Sequence, residues 1–212
     1  MAKFRPNLTT GDRKASKTFF SLKPLIFTLL FVSLRLYADA GPVATVESLH
    51  HALLTIARMT GEDNFEKKYA LLEPTIRKSF DFRKIATLVT GHYWENGLKS
   101  EQENFEKSLL STAVHNYVLN FDGNSSLQFE LVKKKIRKNK AVVETSLISS
   151  GESITKLKYV LYKREERWFI VNVVAKGVSD LSLKRADYMR FLESNTLGNL
   201  AKKLHARTKE NY

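Results

Sequence analysis

The sequence predicts an α+β domain in which an antiparallel four-stranded, or slightly larger, sheet packs against several helices. Two observations carry this. The apolar period is close to 3.6 from Pro42 to about Asn120, changes to 2 between Leu127 and Ala175, and returns to the helical value up to Leu204. The links between the predicted strands are only a few residues long, too short for helical crossovers, so neighbouring strands must run antiparallel. Helices, then a meander, then helices give two layers around one core.

The first forty residues are set apart by composition. Lys3, Arg5, Arg13, Lys14, Lys17 and Lys23 form a basic region, the run from Pro24 to Leu34 is apolar, and Ala38-Asp39-Ala40 has the A-x-A pattern of a cleavage site. The apolar run is about half of the ~20 residues a membrane-crossing helix requires. The expectation is a signal peptide over 1–40 and a single domain over 41–212. Export reduces the formal charge from +13 to +8, because the mature part has 28 Lys and Arg against 20 Asp and Glu. The chain has no cysteine, so its stability must come from packing without disulfides.

In chain order, Val43, Val46, Leu49, Leu53, Ile56 and Ala57 mark a first helix that Gly61 stops. A second, from about Asp63 to Lys78, turns Phe65, Tyr69, Leu72 and Ile76 inward and contains Pro74. Asp81 is placed to cap a short helix with Phe82, Ile85, Ala86 and Val89, ending at Gly91. Ser100 and Glu103 have capping-box spacing for the longest helix, with Phe105, Leu109, Thr112, Ala113, Asn116, Tyr117 and Asn120 along one side. Strands fit Leu127–Arg137, Ala141–Ser149, Thr155–Lys163 and Trp168–Ala175. In the last, strict alternation puts Phe169, Val171 and Val173 on one face and Trp168, Ile170, Asn172 and Val174 on the other. Ser179 or Asp180 caps the next helix, with Leu183, Tyr188, Phe191 and Leu192 at helical spacing. A short final helix places Leu197, Leu200, Ala201 and Leu204 on one stripe.

The chemistry-bearing residues exclude more than they select. His50, His51, His92, His115 and His205 have no metal-ligand spacing, and no cysteine accompanies them. Nucleophile-elbow, S-x-x-K and phosphate-loop patterns do not occur, so the expectation is a non-enzyme with no metal and no cofactor. The cluster Lys133-Lys134-Lys135, Arg137, Lys138 and Lys140 sits on a predicted hairpin, where charge commonly protects an edge strand. With a leader in front of it, nucleic acid is not an expected partner; anionic headgroups or an acidic partner fit better. The aromatic set, including Phe80, Phe82, Tyr93, Trp94, Phe105, Tyr117, Phe121, Phe129, Tyr159 and Trp168, is compatible with a filled core or with a cavity between the layers. Periodicity does not separate the two.

Several ordered segments resemble one family. Phe80-Asp81-Phe82, then Ile85-Ala86, then Gly91-x-x-Trp94 is similar to an "FDF…IA…G-x-x-W" segment. Phe105 and Tyr117 follow at the expected places, and Trp168, Ile170, Val173, Gly177 and Arg185 match a terminal block. This order resembles the MlaC and toluene-tolerance family of periplasmic phospholipid-binding proteins, auxiliary components of ABC transporters. Ser179-Asp180-Leu181 with Arg185 and Tyr188 leans toward its hopanoid-associated, HpnM-like branch. The departures are Asn172, where Asp is usual, and the His115–Gly123 stretch, which lacks the family's run after its Tyr.

The resemblance implies an apolar cavity between sheet and helices, with a phospholipid or hopanoid-like lipid held by Ile85, Val89, Tyr93, Trp94, Phe105, Leu109, Tyr117, Tyr159, Leu161, Ile170 and Val173. It also implies a monomer in the periplasm that exchanges lipid with an inner-membrane MCE-domain/ABC transporter complex, and an outer-membrane lipoprotein complex as a further partner. The alternatives are a non-catalytic scaffold domain with a filled core and, more remotely, a small envelope enzyme of open-cone α+β type.

Overall fold

A computed structural model describes residues 41–59 and 65–209, all within one compact unit spanning Tyr37–Tyr212. Residues 1–40, where a leader is expected, and Gly61 and Asp63 lie outside the described residues. Five helices come first: α1 (Pro42–Ala57), α2 (Phe65–Ser79), α3 (Phe82–Thr90), α4 (His92–Asn96) and α5 (Lys99–Phe121). Strands β1 (Leu127–Arg137), β2 (Lys140–Ser149), β3 (Glu152–Arg164), β4 (Arg167–Ala175) and β5 (Val178–Ser179) follow, then α6 (Asp180–Leu192) and α7 (Leu197–Lys209). The strands form one antiparallel sheet in the order β1-β2-β3-β4-β5. This is the expected α+β architecture, with two additions. The two-residue β5 is too short to leave a periodic signal, and Tyr93 and Trp94 sit on the short helix α4.

Local chemistry explains most boundaries. Asp81 Oδ1 accepts from Lys84 N at 3.0 Å and opens α3, and Ser179 Oγ accepts from Ser182 N at 3.1 Å and opens α6. The longest helix starts earlier than the Ser100–Glu103 spacing predicts. It opens at Lys99, where the Glu101 carboxylate accepts from Leu98 N at 3.2 Å. Gly91 ends α3 at φ 56, and Arg185 of α6 donates to Leu88 O beside it, joining the two helices. Pro74 is accommodated inside α2.

The core is formed where the apolar stripes meet. Val46, Leu49, Leu53 and Ile56 of α1, Leu72 and Ile76 of α2, Phe105 and Val114 of α5, and Leu197, Leu200 and Leu204 of α7 are buried with Val143, Tyr159, Leu161 and Ile170 of the sheet. Three expected positions are not core. Asn116 and Asn120 are exposed on α5, where Val114 and Val118 are buried instead, and Leu183 is exposed on α6. The strict alternation of β4 also fails. A bulge opposite Val160 and Leu161 pairs Leu161 with Ile170 and Tyr159 with Val173, so Ile170 and Val173 share a face.

Candidate functional site

The space between α5 and the sheet is framed by other elements. α1, α2, α3 and α6 approach the strands, whereas α5 packs mainly on α7 and α2. Long side chains therefore fill the gap beneath α5. Tyr117 and Phe121 descend from α5 with ring centres 6.2 Å apart, and Phe121 lies 6.0 Å from Phe129 of β1. Phe129 stacks on His50 of α1 at 3.7 Å, and His50 Nε2 lies 2.9 Å from the Tyr159 hydroxyl of β3. Tyr117 is close enough to Tyr159 to add to the upward shift of its phenol. These five side chains close an aromatic enclosure contributed by α5, β1, α1 and β3.

Burial sets the electrostatics of this enclosure. It lowers the His50 pKa from 6.5 to about 4, so the imidazole is neutral at ordinary pH. The same desolvation pushes the phenols of Tyr159 and Tyr117 upward. A neutral His beside a neutral Tyr forms a hydrogen bond within an apolar wall and leaves no charge there. Tyr117 nonetheless keeps accessible surface, as do Phe129 and Val173 around it.

The expected pocket residues fall into two groups. Ile85, Val89, Trp94, Phe105, Leu109, Tyr159, Leu161 and Ile170 are buried in the core, while Tyr93, Tyr117 and Val173 are half-buried against it. Tyr117, Tyr159 and Val173 meet at the enclosure, Val173 being paired with Tyr159 across the strands. Phe105 instead meets Tyr188 edge-on at 5.9 Å under α6. His50, Phe121 and Phe129 were not among the expected pocket residues. The spacing Val46, His50, Leu53, Ala57 carries a helical signal for His50. That of Phe129 is a strand position just inside the buried foot of β1.

Three clefts lie around this centre, and none of the expected pocket residues lines them. One of about 430 Å³ is formed at the ends of α2 and α3, α5 and the β3–β4 turn by Phe80, Phe82, Phe169 and Leu110, with Arg77, Arg83, Lys107 and Arg164 around them. There Asp81 pairs with Arg164 at 2.8 Å, and Asp81 N donates to Ile170 O at 3.1 Å. The Phe80-Asp81-Phe82 motif thus joins helices to sheet. A second, of about 470 Å³, lies between α5, α6 and α7. It is lined by Asn116 and Asp180, whose sequence neighbours Tyr117 and Leu181 are half-buried, and it shares Tyr188 and Arg207 with a third of about 300 Å³. No cluster of three metal-ligating side chains occurs among the described residues.

The described residues thus form an antiparallel sheet covered by helices, with an uncharged aromatic cluster between the layers. The chain belongs to the MlaC protein family, whose pattern matches residues 48–206. Among solved structures it is similar to the phospholipid-binding protein from Ralstonia solanacearum in complex with a phospholipid. The TM-score is 0.66 at 17% sequence identity, covering 79% of this chain and 96% of that one. No curated protein matches the chain.

Proposed function

We propose that this protein is a non-catalytic periplasmic carrier that takes the acyl tails of a phospholipid, or of a hopanoid-like lipid, into the space between α5 and the sheet. MlaC proteins are periplasmic, and the proposed leader over 1–40 with cleavage after Ala40 accords with that. The observation that carries the reading is the α5–sheet gap, filled by Tyr117, Phe121, Phe129 and His50 in place of close backbone contact. The phospholipid bound by the Ralstonia solanacearum protein supports the cargo class.

The energetics require enclosure. About 0.8 kcal/mol per methylene means that tails of some thirty methylenes resist exposure to water by roughly 24 kcal/mol. The carrier must therefore replace bilayer contacts almost completely. Delivery to or from an inner-membrane MCE-domain/ABC transporter complex is part of the proposal, as is exchange with an outer-membrane lipoprotein complex by a monomer.

Native mass spectrometry of the protein recovered from a bacterial envelope without detergent tests this reading. A mass excess equal to one or two lipids, removed by organic extraction, is expected. Leu161→Asp should abolish it, and full occupancy in that variant would overturn the assignment of the pocket. The burial of Ile85, Phe105, Leu161 and Ile170 at 8% exposure or less favours a second reading, a scaffold with a filled core. A mass without excess, together with no uptake from anionic vesicles, would establish that reading instead.

A further inference from the structure

The β1–β2 hairpin carries a surface that the interior does not explain. Every residue from Glu130 to Lys140 is exposed, although β1 is paired along this length with a strand whose Ala141 and Val143 are almost fully buried. The core under the hairpin is thus supplied by β2, and the distal part of β1 contributes nothing to it. β1 is also an edge strand, so its outer row of N–H and C=O groups has no strand partner.

The side chains on this edge combine two properties. Leu131, Val132 and Ile136 are 51%, 53% and 49% exposed, and six cations are interleaved with them. A bulge at Val132 breaks the alternation. Lys133, Lys135 and Arg137 fall on the face of Val142, Lys134 falls on the opposite face with Ile136, and Lys138 and Lys140 flank the turn. The nearby acids are few. Glu144 lies opposite Lys133 and pairs with Lys158 at 3.4 Å, Glu166 pairs with Lys163 at 2.6 Å on the adjoining turn, and Glu130 and Glu165 are exposed.

Edge protection requires charge, but it does not call for exposed Leu, Val and Ile on the same edge, which raise the liability that the lysines reduce. A complementary protein face would explain cations on one side of the ribbon. Here they lie on both faces and at the turn, which suits a medium that surrounds the edge. A layer of lipid headgroups is such a medium. It supplies phosphates to lysines that reach outward, hydrogen-bond partners to the free backbone groups, and an apolar boundary to the three aliphatic side chains.

We propose that residues 131–140 lie edge-on against the surface of an anionic lipid bilayer, with Leu131, Val132 and Ile136 entering the headgroup boundary and the six cations meeting lipid phosphates. This docking surface is separate from the interior that would hold a tail, and it stands whether or not that interior carries lipid. It would hold the protein on an anionic leaflet without a membrane-crossing helix, and no helix among the described residues is long and apolar enough to be one.

The test is cosedimentation of the protein, expressed from its full chain, with phosphatidylcholine vesicles prepared with and without phosphatidylglycerol, at low and high salt. Binding is expected only to the anionic vesicles and should weaken steeply with salt. The triple variant K133Q/K134Q/K135Q should bind them roughly a hundredfold more weakly at low salt, from about fivefold per basic residue near a charged surface. L131S/I136S should lose several-fold at every salt concentration. Unchanged binding by the triple variant, equal binding to neutral vesicles, or no vesicle binding would each overturn the proposal. Tight binding of an acidic extended peptide to β1 in place of vesicles would assign the edge to a protein. Native mass spectrometry of K133Q/K134Q/K135Q keeps this test apart from that of the carrier, because its lipid occupancy should equal that of the unaltered protein.

Discussion

The two edges of the sheet are finished in opposite ways. On the β5 side the edge is only two residues long, and the chain turns directly into α6, which packs on β4 and α3. The turn is fastened by Asn172, whose side-chain oxygen accepts from Leu181 N at 3.1 Å and from the Ser179 hydroxyl at 3.2 Å. On the β1 side an eleven-residue strand runs out with its outer edge open and its distal part exposed. One edge is closed by packing and side-chain caps. The other is open and carries six interleaved cations.

The comparison predicts a graded set of responses. The largest stability loss should come on the closed side. Tyr188 of α6 is buried and meets Phe105 edge-on, so Tyr188→Ala should cost about 3 kcal/mol, read as a lower urea midpoint at unchanged slope. A loss below about 1 kcal/mol would show that α6 is not the fastening of this edge.

A pH dependence of similar size is expected where β1 enters the core. His50, stacked on Phe129, has its pKa lowered from 6.5 to about 4 by burial. Between those values the unfolded chain takes up a proton that the folded protein refuses. Stability is therefore full above about pH 6.5 and falls as the pH drops toward 4, by about 3 kcal/mol. His50→Gln should flatten that part of the profile. An unchanged slope would locate the acid sensitivity elsewhere, His115, also lowered by burial, being the next residue to replace.

Smaller effects separate chemistry from shape. Lys68 is buried against Asp122 at the end of α5, so Asp122→Ala should cost about 2 kcal/mol; the exposure of Asp122 reduces the penalty of a fully buried pair. Asn172→Ala should cost about 1 kcal/mol through the loss of the cap, whereas Asn172→Asp keeps the acceptor and adds charge at a helix N-terminus, leaving stability equal or slightly higher. At the open edge, Ile136→Ser should change stability by less than about 0.5 kcal/mol, because that side chain is half exposed and outside the core.

Contacts between α5 and α7 act as joints. Glu101 accepts from Gly198 N at 3.2 Å, and a Cβ on Gly198 would lie 2.6 Å from that carboxylate, so the start of α7 approaches α5 as only glycine permits. Ser108 Oγ donates to Ala201 O at 3.0 Å further along the same pair of helices. With Arg185 at the end of α3, these contacts fasten α6 and α7 to the earlier helices.

The sequence by itself determined the α+β class, the order of the longer helices and strands, the Asp81 cap, a cap at Ser179 or Asp180 and most of the buried stripe on α1, α2 and α7, because these follow from local periodicity and local hydrogen bonds. It missed β5, the bulge in β4 and the exposure of Asn116, Asn120 and Leu183, since each depends on what packs alongside. The aromatic enclosure was only partly legible. Tyr117 is marked by the family pattern and Tyr159 is among the expected lining residues, but the closure through Phe121, Phe129 and His50 joins residues up to 109 positions apart. Only the tertiary structure decided which rings face one another and which sheet edge stays open. A residue's period fixes its face, but its neighbour across the layer is set by how far α5 stands from the strands.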